Sequence, residues 1–102
     1  MECCFVVRCR DGRQVVKLRG DFDLAVADDV RAALQRQIAS GAVLVDCSDV
    51  DFIDSRGLSA LICARYSAVK AAVSFQLLDV PERMHRTMRA AGIDDLFALA
   101  TG

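Results

Sequence analysis

Val50-Asp51-Phe52-Ile53-Asp54-Ser55-Arg56-Gly57-Leu58 marks the passage from a very apolar strand into a helix. Upstream, Ala42-Val43-Leu44-Val45 is a short continuous apolar run that suits a strand buried on both faces, and it ends at Asp46. Downstream, Leu58, Leu61, Ile62 and Val69 recur near helical spacing. Ser55 is predicted as the N-cap of that helix, its hydroxyl accepting a bond from an orphan backbone amide of the first turn. Ser55 is therefore expected to be exposed at a helix N-terminus, with carboxylates close by.

Working outward, Cys3 to Cys9 and Gln14 to Arg19 are β-prone runs separated by Arg10-Asp11-Gly12-Arg13, and Asp-Gly between such runs predicts a hairpin. Gly20-Asp21-Phe22-Asp23 follows. Ala27, Val30, Leu34 and Ile38 then mark one face of a first helix that Asp23 is expected to cap and Gly41 to close. The second helix runs to about Ala72, and Val73 to Leu78 is the next strand, so a right-handed crossover to a parallel neighbour is favoured. Pro81 opens a third helix with Met84, Met88 and Ala91 on one face and Gly92 as its stop, and Leu96 to Leu99 is a short apolar tail. The expected fold is α/β, a mixed β-sheet with helices packed against it in the order β-β-α-β-α-β-α with a short C-terminal apolar tail.

A chain of 102 residues with 54% hydrophobic residues supports one domain around one core, spanning residues 1–102. Thirteen lysines and arginines stand against 14 acidic residues, which offers no general basic field for nucleic acid and no basic run for a membrane surface. No apolar stretch approaches the roughly 18 residues that span a bilayer. Met1 to Arg10 also lacks the apolar core of a signal peptide, so a cytoplasmic location is expected. The cysteines Cys3, Cys4, Cys9, Cys47 and Cys63 are odd in number and lack Cys-x-x-Cys spacing. They read as reduced, small buried thiols, with Cys47 and Cys63 nearest the Ser55 segment.

Several chemistries fit poorly. Asp46, Asp49, Asp51 and Asp54 lack the glycine and the terminal glutamate of a calcium loop and read as solvated loop carboxylates, so no metal or other cofactor is expected. Asp46, at the end of a buried strand, resembles the phospho-acceptor of response-regulator receivers. The acidic pair and late lysine of those domains are missing, since the only lysines are Lys17 and Lys70. A serine hydrolase needs a base and a nucleophile elbow, but Ile53 stands at the first glycine position of Gly-x-Ser-x-Gly. The only histidine, His85, reads as an exposed helical residue. Ser55 is left as a serine that receives chemistry, in a protein without catalytic activity of its own.

Three motifs occur in order: Gly20-Asp21-Phe22-Asp23; then Val45-Asp46-Cys47-Ser48-Asp49-Val50 leading into Phe52-Ile53-Asp54-Ser55-Arg56-Gly57-Leu58; then Ala91-Gly92-Ile93 before Leu96-Phe97. Through them the chain resembles, along nearly its whole length, a STAS domain of the bacterial anti-sigma factor antagonist type, whose motifs read Gly-Glu-Leu-Asp and Asp-Ser-Ser/Thr-Gly-Leu. The resemblance implies that Ser55 is phosphorylated by a serine kinase that is itself the anti-sigma factor, and that a PP2C-type phosphatase resets it. The unphosphorylated protein would sequester that kinase and free a sigma factor for transcription.

On this reading Asp54 orients the serine, Asp21 and Asp23 contact the partner or cap the first helix, and Gly57 lets backbones approach. Arg56, Ser59, Cys63 and Lys70 fall on the side of the second helix away from its apolar stripe, which makes them partner-contact candidates. Arg56 departs from the family's serine or threonine, which removes a second acceptor and adds a cation. A phosphoryl group adds about −1.5 to −2 charge. The first-turn amides would stabilise that charge within the domain, whereas an interface shaped for a neutral serine would reject it. The alternative is a constitutive STAS module, a subunit of a lipid-transport or signalling assembly in which Ser55 is never modified.

Overall fold

The computed structural model describes residues 4–100, of which Cys4 is described by its backbone alone. Strands β1 (Cys4–Arg10) and β2 (Arg13–Phe22) form an antiparallel hairpin. Its turn places Asp11 and Gly12 at φ 52° and 78°, the left-handed pair that a tight hairpin turn requires. Helix α1 (Ala27–Ser40), strand β3 (Val43–Ile53), helix α2 (Ser55–Ala71), strand β4 (Phe75–Leu78), helix α3 (Glu82–Ala90) and strand β5 (Ala98–Ala100) follow. The sheet order is β1-β2-β3-β4-β5, and every pair after the first is parallel. The element order is the one the sequence predicts, and the end of the apolar tail enters β5, which adds a fifth strand.

β3 does not stop at Asp46. It runs on to Ile53, and the reason it escapes the sequence pattern is two irregularities against β2. From the pair Lys17/Asp46 to the pair Arg19/Asp49, β2 advances two residues and β3 three; from Gly20/Val50 to Asp21/Phe52, β2 advances one and β3 two. Each extra residue shifts the phase of the strand. The positions that enter the main core therefore read Val43, Val45, Cys47, Val50 and Ile53, and the last two intervals of three break the alternation that marks a strand. Asp46, Asp49 and Asp51 are consequently strand residues rather than loop carboxylates.

One core unites the inner face of the sheet (Val16, Leu18, Val45, Cys47, Leu77) with α1, α2 and α3. Val30, Leu34 and Ile38 line α1, and Met84 and Met88 fix α3. α2 packs on α1, and its buried side includes Ala60, Ala64 and Ala68, small residues about one turn apart. Val69, expected in the apolar stripe of α2, instead faces outward at 61% exposure. Ala91 is the exposed C-cap of α3, not part of its buried face, and His85 is half-buried rather than exposed. The opposite face of the sheet holds a separate small cluster of Val15, Leu44 and Leu78 with Ala100, to which no helix contributes. Among the described residues, no helix is long and apolar enough to cross a membrane.

Three cysteines are described with their side chains, all free: Cys47 is buried, whereas Cys9 and Cys63 are exposed, contrary to the expectation of buried thiols. The expectation for Cys3 and for the Cys4 side chain falls outside the described residues.

Candidate functional site

β3 delivers the chain to the C-terminal end of the parallel strands, where Asp54 leaves the sheet and α2 begins. Asp54 donates its amide to Phe22 O at 3.3 Å, so the end of β2 fixes the point of departure. Asp54, not Ser55, is the N-cap: its Oδ1 accepts from the amides of Arg56 (2.9 Å) and Gly57 (3.0 Å). Aspartate and serine are about equally good caps, so two adjacent candidates are not separable by type. Ser55 is thereby the first helical residue, exposed, with its hydroxyl free of capping duty.

The second carboxylate oxygen of Asp54 reaches the turn after β2. Its Oδ2 accepts the Leu24 amide at 3.1 Å, which brings the Gly20-Asp21-Phe22-Asp23 motif beside Ser55. Asp23 does not cap α1, whose N-cap is Val26 without a side-chain bond. Asp23 Oδ1 instead accepts from Ala25 N at 3.0 Å, closing an Asx turn that shapes the loop. Asp21 and Asp23 are half-buried, and Asp21 sits in register with Phe52.

Gly57 is buried, and a Cβ there would collide with the Phe22 carbonyl and lie 2.8 Å from Ile53 Cγ1. The close backbone approach that Gly57 permits is thus internal, between α2 and β2, rather than toward a partner. Arg56, Ser59 and Cys63 are exposed along α2, but Cys63 lies eight residues beyond Ser55, about 12 Å along the axis. Sequence reasoning missed three neighbours. Leu24 and Phe52 are 64% and 50% exposed at this end of the sheet, and their only signal was an apolar residue within an acidic stretch. Arg83 Nη1 donates to Asp51 O at 2.9 Å and ties α3 to the strand that leads into the site.

Asp46 and Asp49 have other partners. Asp46 Oδ1 accepts from Ser48 N and Oγ at 3.0 and 2.7 Å. Asp49 pairs with Lys17 at 3.3 Å and Arg19 at 3.8 Å. Cys47 is fully buried beneath this segment, and burial, reinforced by Asp46 and Asp79, pushes its thiol far above the ordinary range. It is an inert core residue. Because Asp54 already occupies the Arg56 and Gly57 amides, those donors are not open to a phosphate as the sequence reading supposed. Charge placed on Ser55 would stand beside a carboxylate and point away from the domain.

A sequence model of the family described as "Mlab, STAS domain" matches residues 5–100. Among solved structures, an anti-sigma factor antagonist from Mycobacterium paratuberculosis is similar at 26% identity and a TM-score of 0.86, over 97% of this chain and 86% of that one. The anti-sigma factor antagonist SpoIIAA shares the fold in its unphosphorylated form, at 18% identity and a TM-score of 0.79 over 96% of this chain and 89% of that one. The Bacillus SpoIIAA in its phosphorylated form does so at 19% identity and a TM-score of 0.73, over 96% and 92%. The chain belongs to the STAS-domain family and is a homologue of the bacterial anti-sigma factor antagonists.

Proposed function

We propose that this protein is an anti-sigma factor antagonist whose unphosphorylated form binds a serine-kinase anti-sigma factor and whose release follows phosphorylation of Ser55. The observation that carries the reading is the division of labour between Asp54 and Ser55. Asp54 holds the local structure with both carboxylate oxygens, leaving the adjacent hydroxyl exposed and structurally idle. Modification of such a hydroxyl changes surface charge without dismantling the helix. The exposed Leu24 and Phe52 supply apolar area at the same end of the sheet, and Arg56 and Ser59 extend the surface along α2. A phosphoryl group within that surface brings repulsion and a desolvation penalty at an interface built for a neutral serine. The existence of SpoIIAA structures in both forms agrees with a fold that accepts the modification without loss.

A pull-down of unphosphorylated protein from its own lysate, followed by ATP, tests the reading. It requires capture of a serine kinase, transfer of one phosphate to Ser55, and dissociation of the complex. A PP2C-type phosphatase would restore binding.

A second reading is favoured by a specific observation: the matching family model carries the Mlab description, and Arg56 stands where the switch motif has serine or threonine. In that reading the chain is a constitutive subunit of a lipid-transport or signalling assembly and Ser55 is an unmodified contact. Co-purification with a membrane transporter, together with Ser55 unmodified in cells, would select it.

A further inference from the structure

β3 begins at Val43 near Gln14 and ends at Ile53 beside Phe22, so the β1–β2 hairpin turn lies at the end of the sheet opposite Ser55. β1 is the first strand of the sheet, and among the described residues its outer edge meets no other strand. Residues 6–10 are all exposed, including Val6 at 52%. Alternation along the strand places Val6, Arg8 and Arg10 on the helix-free face, opposite Lys17, Val15 and Arg13 in register. Two adjoining hollows of about 280 and 190 Å³ open there and share Arg10 and Val15 in their walls.

The charge of this hairpin is one-sided. Residues 4–20 contain Arg8, Arg10, Arg13, Lys17 and Arg19 against a single acid, Asp11, although the whole chain is close to neutral. Asp49 answers Lys17 and Arg19. The side chains of Arg8, Arg10 and Arg13 make no ion pair or hydrogen bond among the described residues. A charge on an edge strand ordinarily discourages unwanted pairing. Here the charges are of one sign, repeat along the strand and flank exposed valines, which makes the edge selective rather than closed.

We propose that β1 is a docking strand for an extended segment of a protein partner in which acidic residues alternate with small or apolar ones, added as a sixth strand beyond β1. Arg8 and Arg10 recur at a spacing of about 6.8 Å, the interval at which every second side chain of an extended chain faces the same way. The edge supplies main-chain donors and acceptors, and the arginines supply charge-assisted specificity. An acidic helix offers carboxylates at three- and four-residue spacing and has no main-chain groups for the edge. The site lies away from Ser55, so a partner held here is not released by the charge switch, and the inference stands or falls separately from it.

The test uses the full chain and a fluorescein-labelled decapeptide of five Thr-Glu repeats, followed by anisotropy. Saturable binding is expected, weakened about tenfold or more by the double variant Arg8→Gln, Arg10→Gln. N-methylation of alternate peptide amides on the pairing edge should abolish binding without altering the peptide's charge. Absence of saturable binding overturns the proposal, as does binding that survives N-methylation, because that would be attraction without strand pairing. Equal weakening by Arg36→Gln, a change on α1, would overturn it as well.

Discussion

Asp54 accepts the backbone amide of Leu24 at 3.1 Å across thirty residues of sequence, while its other oxygen holds the first turn of α2. One side chain therefore sets the relation between the turn after β2 and the helix that presents Ser55.

Removal of that carboxylate should be felt beyond the cap. Asp54→Ala is expected to cost about 1–2 kcal/mol, at the upper end of N-cap losses, because the Leu24 amide loses its acceptor too. Asp54→Asn keeps one acceptor oxygen and should fall between the two. Urea unfolding of the three proteins checks this order, and an Asp54→Ala variant as stable as the parent would refute the bridging role.

Ser55 should behave differently from its neighbour. As an exposed first-turn residue without capping duty, Ser55→Ala should alter stability by less than about 0.5 kcal/mol. Ser55→Asp should likewise fold normally, with favourable placement at the helix N-terminus partly offset by the adjacent carboxylate. Binding should separate them, with the alanine variant retaining the partner and the aspartate variant weakening it. Melting curves and calorimetric titrations against the kinase partner report the two effects independently. An alanine variant that binds worse than the aspartate variant would mean that the hydroxyl itself carries recognition.

Gly57 predicts a conflict between propensity and packing. Alanine at this position gains roughly 1 kcal/mol of intrinsic helix preference. That gain should be exceeded by the collision of its Cβ with the Phe22 carbonyl and Ile53, since overpacking of a closed site costs about 1–3 kcal/mol. Gly57→Ala should therefore lower the urea midpoint; a rise would show that α2 can lift away from β2 freely.

The cysteines give a prediction about pH and reactivity. Cys9 and Cys63 should alkylate readily in the native protein, and Cys47 only after unfolding. Because burial raises the native Cys47 thiol above its unfolded value, the folded state holds its proton where the unfolded state releases it. The Cys47 contribution to stability is thus intact below about pH 8.5 and declines as pH rises above it. A Cys47→Ala variant should lack that part of the alkaline decline. A native protein that labels at Cys47 as fast as at Cys63 would contradict the burial argument.

The architecture was legible in the sequence where periodicity was regular. Val30, Leu34 and Ile38 marked α1, Asp11-Gly12 marked the hairpin, and Pro81 marked the entry to α3. β3 was legible only to Asp46, because its two extra residues shift the inward face to intervals of three at Val50 and Ile53. The strand-to-helix junction that carries the candidate site was readable, but not which of Asp54 and Ser55 caps the helix. That choice depends on the distant Leu24 and Phe22 groups, with which Asp54 makes tertiary bonds that no local pattern encodes. The outward turn of Val69 reflects the same limit, since Ala60, Ala64 and Ala68 give α2 a close-packing face that hydrophobicity alone underrates.

In the proposed switch, the charge state of Ser55 decides partner binding while the domain stays folded. The most direct measurement is calorimetric titration of the serine-kinase partner with the unphosphorylated protein and with protein carrying a single phosphate mapped to Ser55, alongside thermal melts of both. Phosphorylation should weaken binding by about tenfold or more and leave the melting temperature nearly unchanged. Equal affinity of the two forms, or a phosphate found on Ser48 or Ser59 with Ser55 untouched, would contradict it.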